Sequence, residues 1–212
     1  MTTSMNASEA MLSRHSVRKY VPHTPIASSE LNEILELAGS APSAWNLQHW
    51  RFLVFQQEDT KQKLLPIAYN QQQVVDCSAV IAVLGDTQAN LMASELYGEQ
   101  LQAGNISQQV HDTLVGNINR AYASSEQVGT EAAILNSSLA AMQLMLAAKA
   151  KGWDTCSMGG FSKEQFVTEF TIPSRYVPVM LITLGKAAAP AHATSRLPLE
   201  RTVFHESFPA NQ

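Results

Sequence analysis

A cluster of basic and hydroxyl side chains near the N-terminus is suited to anion chemistry. The segment 14–20, RHSVRKY, carries Arg14, His15, Ser16, Arg18 and Lys19. Arginine offers a bidentate fork of donors and serine a short hydrogen bond, so the segment could hold a phosphate. Cations are also typical of the solvated C-terminal end of a helix, where the helix dipole favours them. On spacing alone, both interpretations stay open.

A second polar stretch, APSAWNLQHWRF at 41–52, combines hydrogen-bonding side chains with indoles: Pro42, Ser43, Ala44, Trp45, Asn46, Gln48, His49 and Trp50. Indoles pack on ring faces and amides bond ring edges, so such a loop could clasp a flat ligand with a polar rim. A helix-to-strand connection with two core tryptophans explains the same residues. The stretch alone slightly favours that second interpretation.

Two shorter stretches also carry candidate site residues. An amide run at 70–73, which includes Asn70 and Gln73, stands just before an apolar strand pattern. The glycine pair Gly159 and Gly160 allows close approach of a ligand to the backbone, or a positive φ.

Composition narrows the functional class. The chain has 212 residues, a net charge of −4 and a pI near 5.8, which argue against a general nucleic-acid binder. Cys77 and Cys156 lack metal-type spacing and are interpreted as buried thiols in a reducing compartment, so we expect no metal and a cytoplasmic location. The polar N-terminus lacks the pattern of a secretory signal.

Hydrophobic periodicity predicts the elements that position these residues. Helices are expected near 8–14, 28–39, 59–68, 130–151 and 162–170, and strands near 51–55, 79–85 and 177–185. No helix or strand is predicted for the glycine-bearing stretch 153–161. This order predicts one α+β domain over 1–212, with a few-stranded sheet and a helical majority.

Three segments have a distinct character. The segment 87–127 is rich in Gln, Asn, Ser and Ala, and is interpreted as helices that form a lid or, equally, as ordinary surface helices. The helix at 130–151 has almost no polar face, which predicts burial and a position at a dimer interface. Its interrupting polar residues argue against a membrane span. The segment 187–212 is predicted to be an extended tail.

The chain resembles the FMN-dependent nitroreductase family over nearly its whole length. Four motifs carry the resemblance: Arg-x-Ser-x-Arg at 14–18, Ala-Pro-Ser-x-x-Asn-x-Gln-x-Trp at 41–50, Gly-Gly-Phe at 159–161 and Arg-x-Pro at 196–198. Each motif alone is weak, whereas their order and separation together are specific.

The resemblance implies a central mixed, mainly antiparallel sheet surrounded by helices, in an intertwined homodimer that binds FMN. It assigns the FMN phosphate, ribityl chain and pyrimidine edge to Arg14, His15, Ser16 and Arg18, with Arg196 closing the phosphate site. Asn70 and Gln73 would meet the isoalloxazine ring, and the backbone of Gly159 and Gly160 its N5 region. The partner subunit would supply Pro42, Ser43, Ala44 and Asn46.

This sequence departs from the family pattern at four positions, and at one of them Thr194 stands where some members have lysine. His49 stands where related members often have proline, and Ala44 where many carry a second serine. Gln73 stands where some have lysine, so Arg18 would have to supply the charge that stabilises reduced flavin.

The implied activity is hydride transfer from NAD(P)H through flavin N5 to a nitroaromatic, quinone or similar flat acceptor by a ping-pong mechanism. Such chemistry requires no catalytic side chain, since the protein orients the ring and tunes its electronics. Two alternatives remain: the same flavin with another chemistry, such as reductive dehalogenation or flavin fragmentation, and a non-enzymatic flavin-binding protein. Neither nucleic acid nor a membrane is an expected partner.

Overall fold

The computed structural model describes residues 5–208. Its helices are α1 (Ala7–Ser13), α2 (Ser28–Gly39), α3 (Glu58–Ile67), α4 (Gln73–Asp76), α5 (Ala93–Gln102), α6 (Gln108–Ala123), α7 (Glu126–Ala150) and α8 (Lys163–Glu169). Its strands are β1 (Trp50–Phe55), β2 (Ala79–Asp86), β3 (Asp154–Met158) and β4 (Tyr176–Gly185). Short 3₁₀ turns cover Ala44–Asn46, Ala89–Met92 and Leu199–Arg201.

The four strands form one antiparallel sheet in the order β1-β2-β4-β3. A single parallel bridge joins Ser16 to Thr155 at the β3 edge. The predicted α+β class is confirmed, and three of the four strands were predicted from their apolar runs. No strand was predicted in 153–161, whereas β3 occupies its first half. Asp154 and the exposed Ser157 hide the short apolar pattern of this strand.

The hydrophobic core lies on both faces of the sheet. On one face, Leu64 of α3 and Phe166 of α8 pack on the even-numbered side chains of β2, such as Val80 and Ala82. On the other face, Ile34 of α2 and Leu144 of α7 pack on the odd-numbered side chains of β2, such as Ile81. Because side chains alternate between faces along a strand, β2 is buried along its whole length.

Helix α7 is buried on one side only. Ala133, Ala140 and Leu144 contact the core, whereas Leu135 is 65% and Leu139 43% exposed. The prediction of a helix buried all round is therefore wrong for the single chain, since one apolar face has no cover within the described residues. By length and composition alone α7 could cross a membrane, but core helices of soluble proteins commonly pass the same test.

The segment 87–127 contains α5 and α6, which pack on the loop before β1. Ala89, Ala93 and Ile118 enclose Leu47 in a small separate cluster. At the other end of the chain, the segment after β4 begins beside the basic segment 14–20, because the Ala188 N–H donates to the Lys19 carbonyl at 2.8 Å. Beyond residue 188, the described tail has no regular element except the 3₁₀ turn at Leu199–Arg201, and residues 209–212 of the predicted tail lie outside the described part.

Candidate active site

The basic segment 14–18 lies along β3, one of the two edge strands of the sheet. Ser16 pairs with Thr155, and the Val17 N–H donates to the Thr155 carbonyl oxygen at 3.0 Å. Val17 is buried in the core, whereas His15 and Arg18 are exposed. Pairing with β3 therefore fixes the backbone of the cluster while its cationic side chains remain accessible.

Four of the predicted site residues surround the buried thiol of Cys156 on β3. Burial raises the pKa of this thiol, while the cations of Arg18 and Arg14 and the polar groups of Ser16 and Gln73 oppose the rise. The Gln73 amide donates a long hydrogen bond to the Cys156 thiol, with 3.9 Å between Nε2 and Sγ. The structure thus brings the basic segment and the amide run together at one edge of the sheet.

The turn that carries Asn70 and Gln73 is held in a demanding backbone conformation. Tyr69 and Asn70 have positive φ values of 54° and 56°, which residues other than glycine adopt rarely. Lys61 anchors the far end of the turn, since its buried Nζ donates to the carbonyl of Val75 at 2.7 Å and to that of Cys77 at 2.9 Å. Asn70 itself is exposed beside the site.

The glycine pair after β3 forms an exposed loop with unused donors. The Phe161 N–H donates to the Gly159 carbonyl at 3.3 Å, and the Ser162 N–H to the Ile67 carbonyl at 2.9 Å. Within residues 5–208, the N–H groups of Gly159 and Gly160 donate no hydrogen bond. A Cβ on Gly159 would meet no atom within 4 Å, so the loop borders open space. Two adjacent free amides are therefore available to a ligand acceptor.

The 42–48 loop is fixed by contacts that the sequence did not reveal. The Ala44 N–H donates to Oδ1 of Asn136 on α7 at 2.8 Å, and the Gln48 N–H to Oγ of Ser43 at 3.0 Å. Tyr97 on α5 donates its hydroxyl to the Trp45 carbonyl at 3.1 Å. The side chains of Pro42, Ala44 and Asn46 remain exposed on this loop.

The two groups of predicted site residues lie at opposite edges of the sheet. The 42–48 loop precedes β1, and the basic segment lies on β3; β2 and β4 separate them. With about 4.8 Å between neighbouring strands, these edges are about 14 Å apart. The predicted site residues of one chain therefore form two separate groups.

The side chain of Arg196 makes local hydrogen bonds in the tail. It lies exposed in the tail, where its Nη1 donates to Oγ1 of Thr194 at 2.9 Å and to the Ser195 carbonyl at 3.0 Å. Its assignment to the phosphate site stays a prediction.

His49, at the end of the 42–48 loop, is part of a buried polar network. Its Nε2 lies 2.7 Å from the Tyr122 hydroxyl on α6, and its carbonyl accepts from the Asp86 N–H at 2.7 Å. Its Nδ1 is buried without a partner in the described chain. Burial lowers the pKa of His49 to about 4, although the Asp86 carboxylate opposes the shift.

We expect His49 to make the stability of the protein pH-dependent. The folded-state pKa of about 4 is below the ordinary value of 6.5, so the unfolded chain binds more protons between these values. The free energy of unfolding should thus fall by about 2 kcal/mol between pH 7 and pH 5 from this group. Urea unfolding at both pH values should show a smaller loss for His49→Gln. Equal losses in the two proteins would contradict the expectation.

The comparisons with known proteins identify the family of the chain. A model described as the nitroreductase family matches residues 11–186. The chain belongs to the nitroreductase family. YodC of Bacillus subtilis, a protein named as an NAD(P)H nitroreductase, is 55% identical over 196 residues, which are 92% of this chain and 96% of YodC. The CLA biosynthesis enone reductase of Lactiplantibacillus plantarum is 35% identical over 192 residues, 88% of each chain.

A solved nitroreductase structure also links this fold to the cofactor. The FMN complex of a nitroreductase from Exiguobacterium sibiricum is similar with a TM-score of 0.90 and 38% identity, and the match covers 97% of this chain and 99% of that one. The predicted family and cofactor are confirmed: this nitroreductase is an NAD(P)H-dependent oxidoreductase that uses FMN.

The donor set at the β3 edge fits FMN. A flavin mononucleotide has an anionic phosphate, a hydroxylated chain and a ring edge rich in acceptors. The cations of Arg14 and Arg18 suit the phosphate or a negatively charged ring edge, and the free amides of Gly159 and Gly160 suit a ring acceptor. The residues present thus match the chemistry of the cofactor.

Proposed function

We propose that this nitroreductase acts as a homodimer that reduces flat acceptors, such as nitroaromatics and quinones, with NAD(P)H by a ping-pong mechanism. When bound, FMN would take a hydride from the nicotinamide at N5 and pass it to the acceptor. The observation that carries the proposal is the grouping of cations, amides and two free glycine N–H groups beside open space at the β3 edge.

The proposed roles of the site residues follow their chemistry and location. Arg14, His15, Ser16 and Arg18 would bind the phosphate, ribityl chain and pyrimidine edge, and Arg196 would complete the phosphate site. Asn70, Gln73, Gly159 and Gly160 would orient the ring from the same chain. Pro42, Ser43, Ala44 and Asn46 would contact it from the partner chain. The protein binds and orients the ring, and no side chain is assigned to proton transfer.

The dimer is supported by apolar surface on α7 and by the separation of the two groups of predicted site residues. Exposed apolar side chains follow one face of the helix: Ile134, Leu135, Leu139 and Met142. A neighbouring apolar groove of about 220 Å³ lies between α1, α2 and α7. Contiguous apolar surface of this kind marks an interaction site on a soluble protein, and a second copy would also bring the 42–48 loop to the β3 edge.

Three further assignments belong to this proposal. The chain would form a single domain over 1–212, with 87–127 as a lid and 187–212 as a tail that packs on the partner. Tyr97 and Tyr122 connect the lid helices to the 42–48 loop and the adjoining His49. Movement of the lid would therefore shift the loop residues that contact the flavin. We also propose that the enzyme acts in the cytoplasm.

The experiment that tests the proposal is an anaerobic absorbance titration of the purified protein with FMN and NADPH. Flavin bands should bleach with NADPH and return on addition of a quinone or a nitroaromatic. Double-reciprocal plots should be parallel, since one site is used twice. A protein that stays colourless after addition of FMN, or intersecting plots, would contradict the proposal.

A conjugated enone should be included as a third acceptor. The similarity to the Lactiplantibacillus plantarum enone reductase favours reduction of a conjugated carbon–carbon double bond as a second candidate activity. Return of the flavin bands with the enone, but with neither the quinone nor the nitroaromatic, would favour this second activity.

A further inference from the structure

The Gln71 side chain connects the two backbone segments that border the flavin edge of the site. Its Nε2 donates to the Ala68 carbonyl at 3.0 Å and to the Gly160 carbonyl at 2.9 Å. Both partners are carbonyl oxygens, which accept only, so the orientation of the amide is fixed by its neighbours. Both N–H bonds of the amide are therefore used in this tether.

The tether determines the orientation of the peptide between Gly160 and Phe161. The carbonyl of this peptide accepts from Gln71, and its N–H donates to the Gly159 carbonyl at 3.3 Å. With both ends of the peptide bonded, the preceding N–H groups of Gly159 and Gly160 are left as the unused donors. Glycine backbones have many accessible conformations, so a loop of two glycines requires an external contact to hold one of them.

We propose that Gln71 is a positioning residue that holds the Gly159 and Gly160 amides in the orientation required by the flavin. This inference rests on the proposed function, because it assigns those amides to the ring. Gln71 acts through Gly160 and reaches the ring only through the backbone. Hydride transfer depends steeply on the alignment of the reacting atoms, so a loosened loop lowers the rate even where cofactor still binds.

The test compares a variant that loses the donors with one that keeps them. Gln71→Glu preserves the shape but places a carboxylate against two carbonyl oxygens, whereas Gln71→Lys retains an N–H donor. The control is Gln72→Ala, because the neighbouring Gln72 is exposed and donates only to Oδ1 of Asp76. Unfolding temperatures of all variants show whether each one folds.

We expect Gln71→Glu to raise the FMN dissociation constant about tenfold and to lower the limiting rate of flavin reduction at saturating FMN about tenfold, as for a lost hydrogen bond. Gln71→Lys should remain within about threefold of the wild type, and Gln72→Ala should be unchanged. The N–H of Phe161 is bonded to the Gly159 carbonyl, and its hydrogen exchange, measured without FMN, should be faster in Gln71→Glu only.

The inference is overturned if Gln71→Glu matches Gln72→Ala in reduction rate and amide exchange, or if Gln71→Lys is as impaired as Gln71→Glu. These results differ from a failure of the proposed function, in which the wild-type protein itself binds no FMN. In that case, unchanged exchange of the Phe161 N–H in Gln71→Glu would still show that Gln71 does not hold the loop.

Discussion

Combining Leu135→Asp with Leu139→Asp is expected to yield a monomer that no longer retains FMN. Both leucines are exposed on the apolar face of α7 and would be covered in the proposed dimer. Burial of a leucine side chain contributes about 1.5–3 kcal/mol, and burying a carboxylate is unfavourable in addition. The dimer dissociation constant should therefore rise on the order of a thousandfold or more.

Light scattering during size-exclusion chromatography and the ratio of flavin to protein absorbance measure the two effects. Val110→Asp is the matched control, because Val110 is also 43% exposed but lies on another helix, α6. The control should stay dimeric and yellow. A double variant that remains dimeric, or a monomer with full FMN content, would contradict the proposal that the partner chain completes each FMN site.

Replacing Arg175 by methionine should lower the free energy of unfolding by about 3–5 kcal/mol, the usual cost of leaving a buried charge unpaired. Nε and Nη2 of Arg175 donate to the two carboxylate oxygens of Asp86 at 2.7 and 2.6 Å. Asp86 is fully buried at the end of β2, so its charge has no access to water. Arg51, at 3.5 Å and partly exposed, is a weaker partner.

Urea unfolding at pH 7 measures this loss. Glu33→Gln provides the control, because it removes the ion pair of Glu33 with Lys151, in which the carboxylate is more than half exposed. An exposed pair of this kind contributes about 1 kcal/mol or less. Should Arg175→Met prove no more destabilising than Glu33→Gln, the buried pair would not have the stabilising role assigned to it.

The sequence predicted those elements whose side-chain pattern is long and regular. The apolar runs of β2 and β4 identified central strands, because both faces of these strands are covered by helices. Strand β3 escaped prediction because it is only five residues long and lies at the sheet edge with Ser157 exposed. The all-round apolar pattern of α7 was visible, but which face stays uncovered depends on tertiary packing.

The candidate site was predictable in part. The basic segment and the glycine pair were identified by residue type and resemblance, and the structure places both at β3. Four successive polar amide side chains at 70–73 gave no means of choosing Gln71, since its role depends on a contact with Gly160, 89 residues away. Likewise, the contact of Asn136 with the 42–48 loop spans 92 residues, a distance that local patterns cannot reveal.

The central claim is that each flavin site combines the β3 edge of one chain with the 42–48 loop of its partner. Its most direct test is the FMN content of mixed dimers, purified by two different tags. One chain carries Arg14→Glu and Arg18→Glu, and the other carries Ala44→Glu at the exposed loop position. Each variant alone should bind little FMN. In a mixed dimer with shared sites, one site has both defects and the other has none.

The account therefore predicts one FMN per mixed dimer, half of the wild-type content. If each site were built within a single chain, both chains of the mixed dimer would remain defective. A mixed dimer without bound FMN would then contradict the claim, provided that the wild-type dimer purified with the same tags is fully loaded.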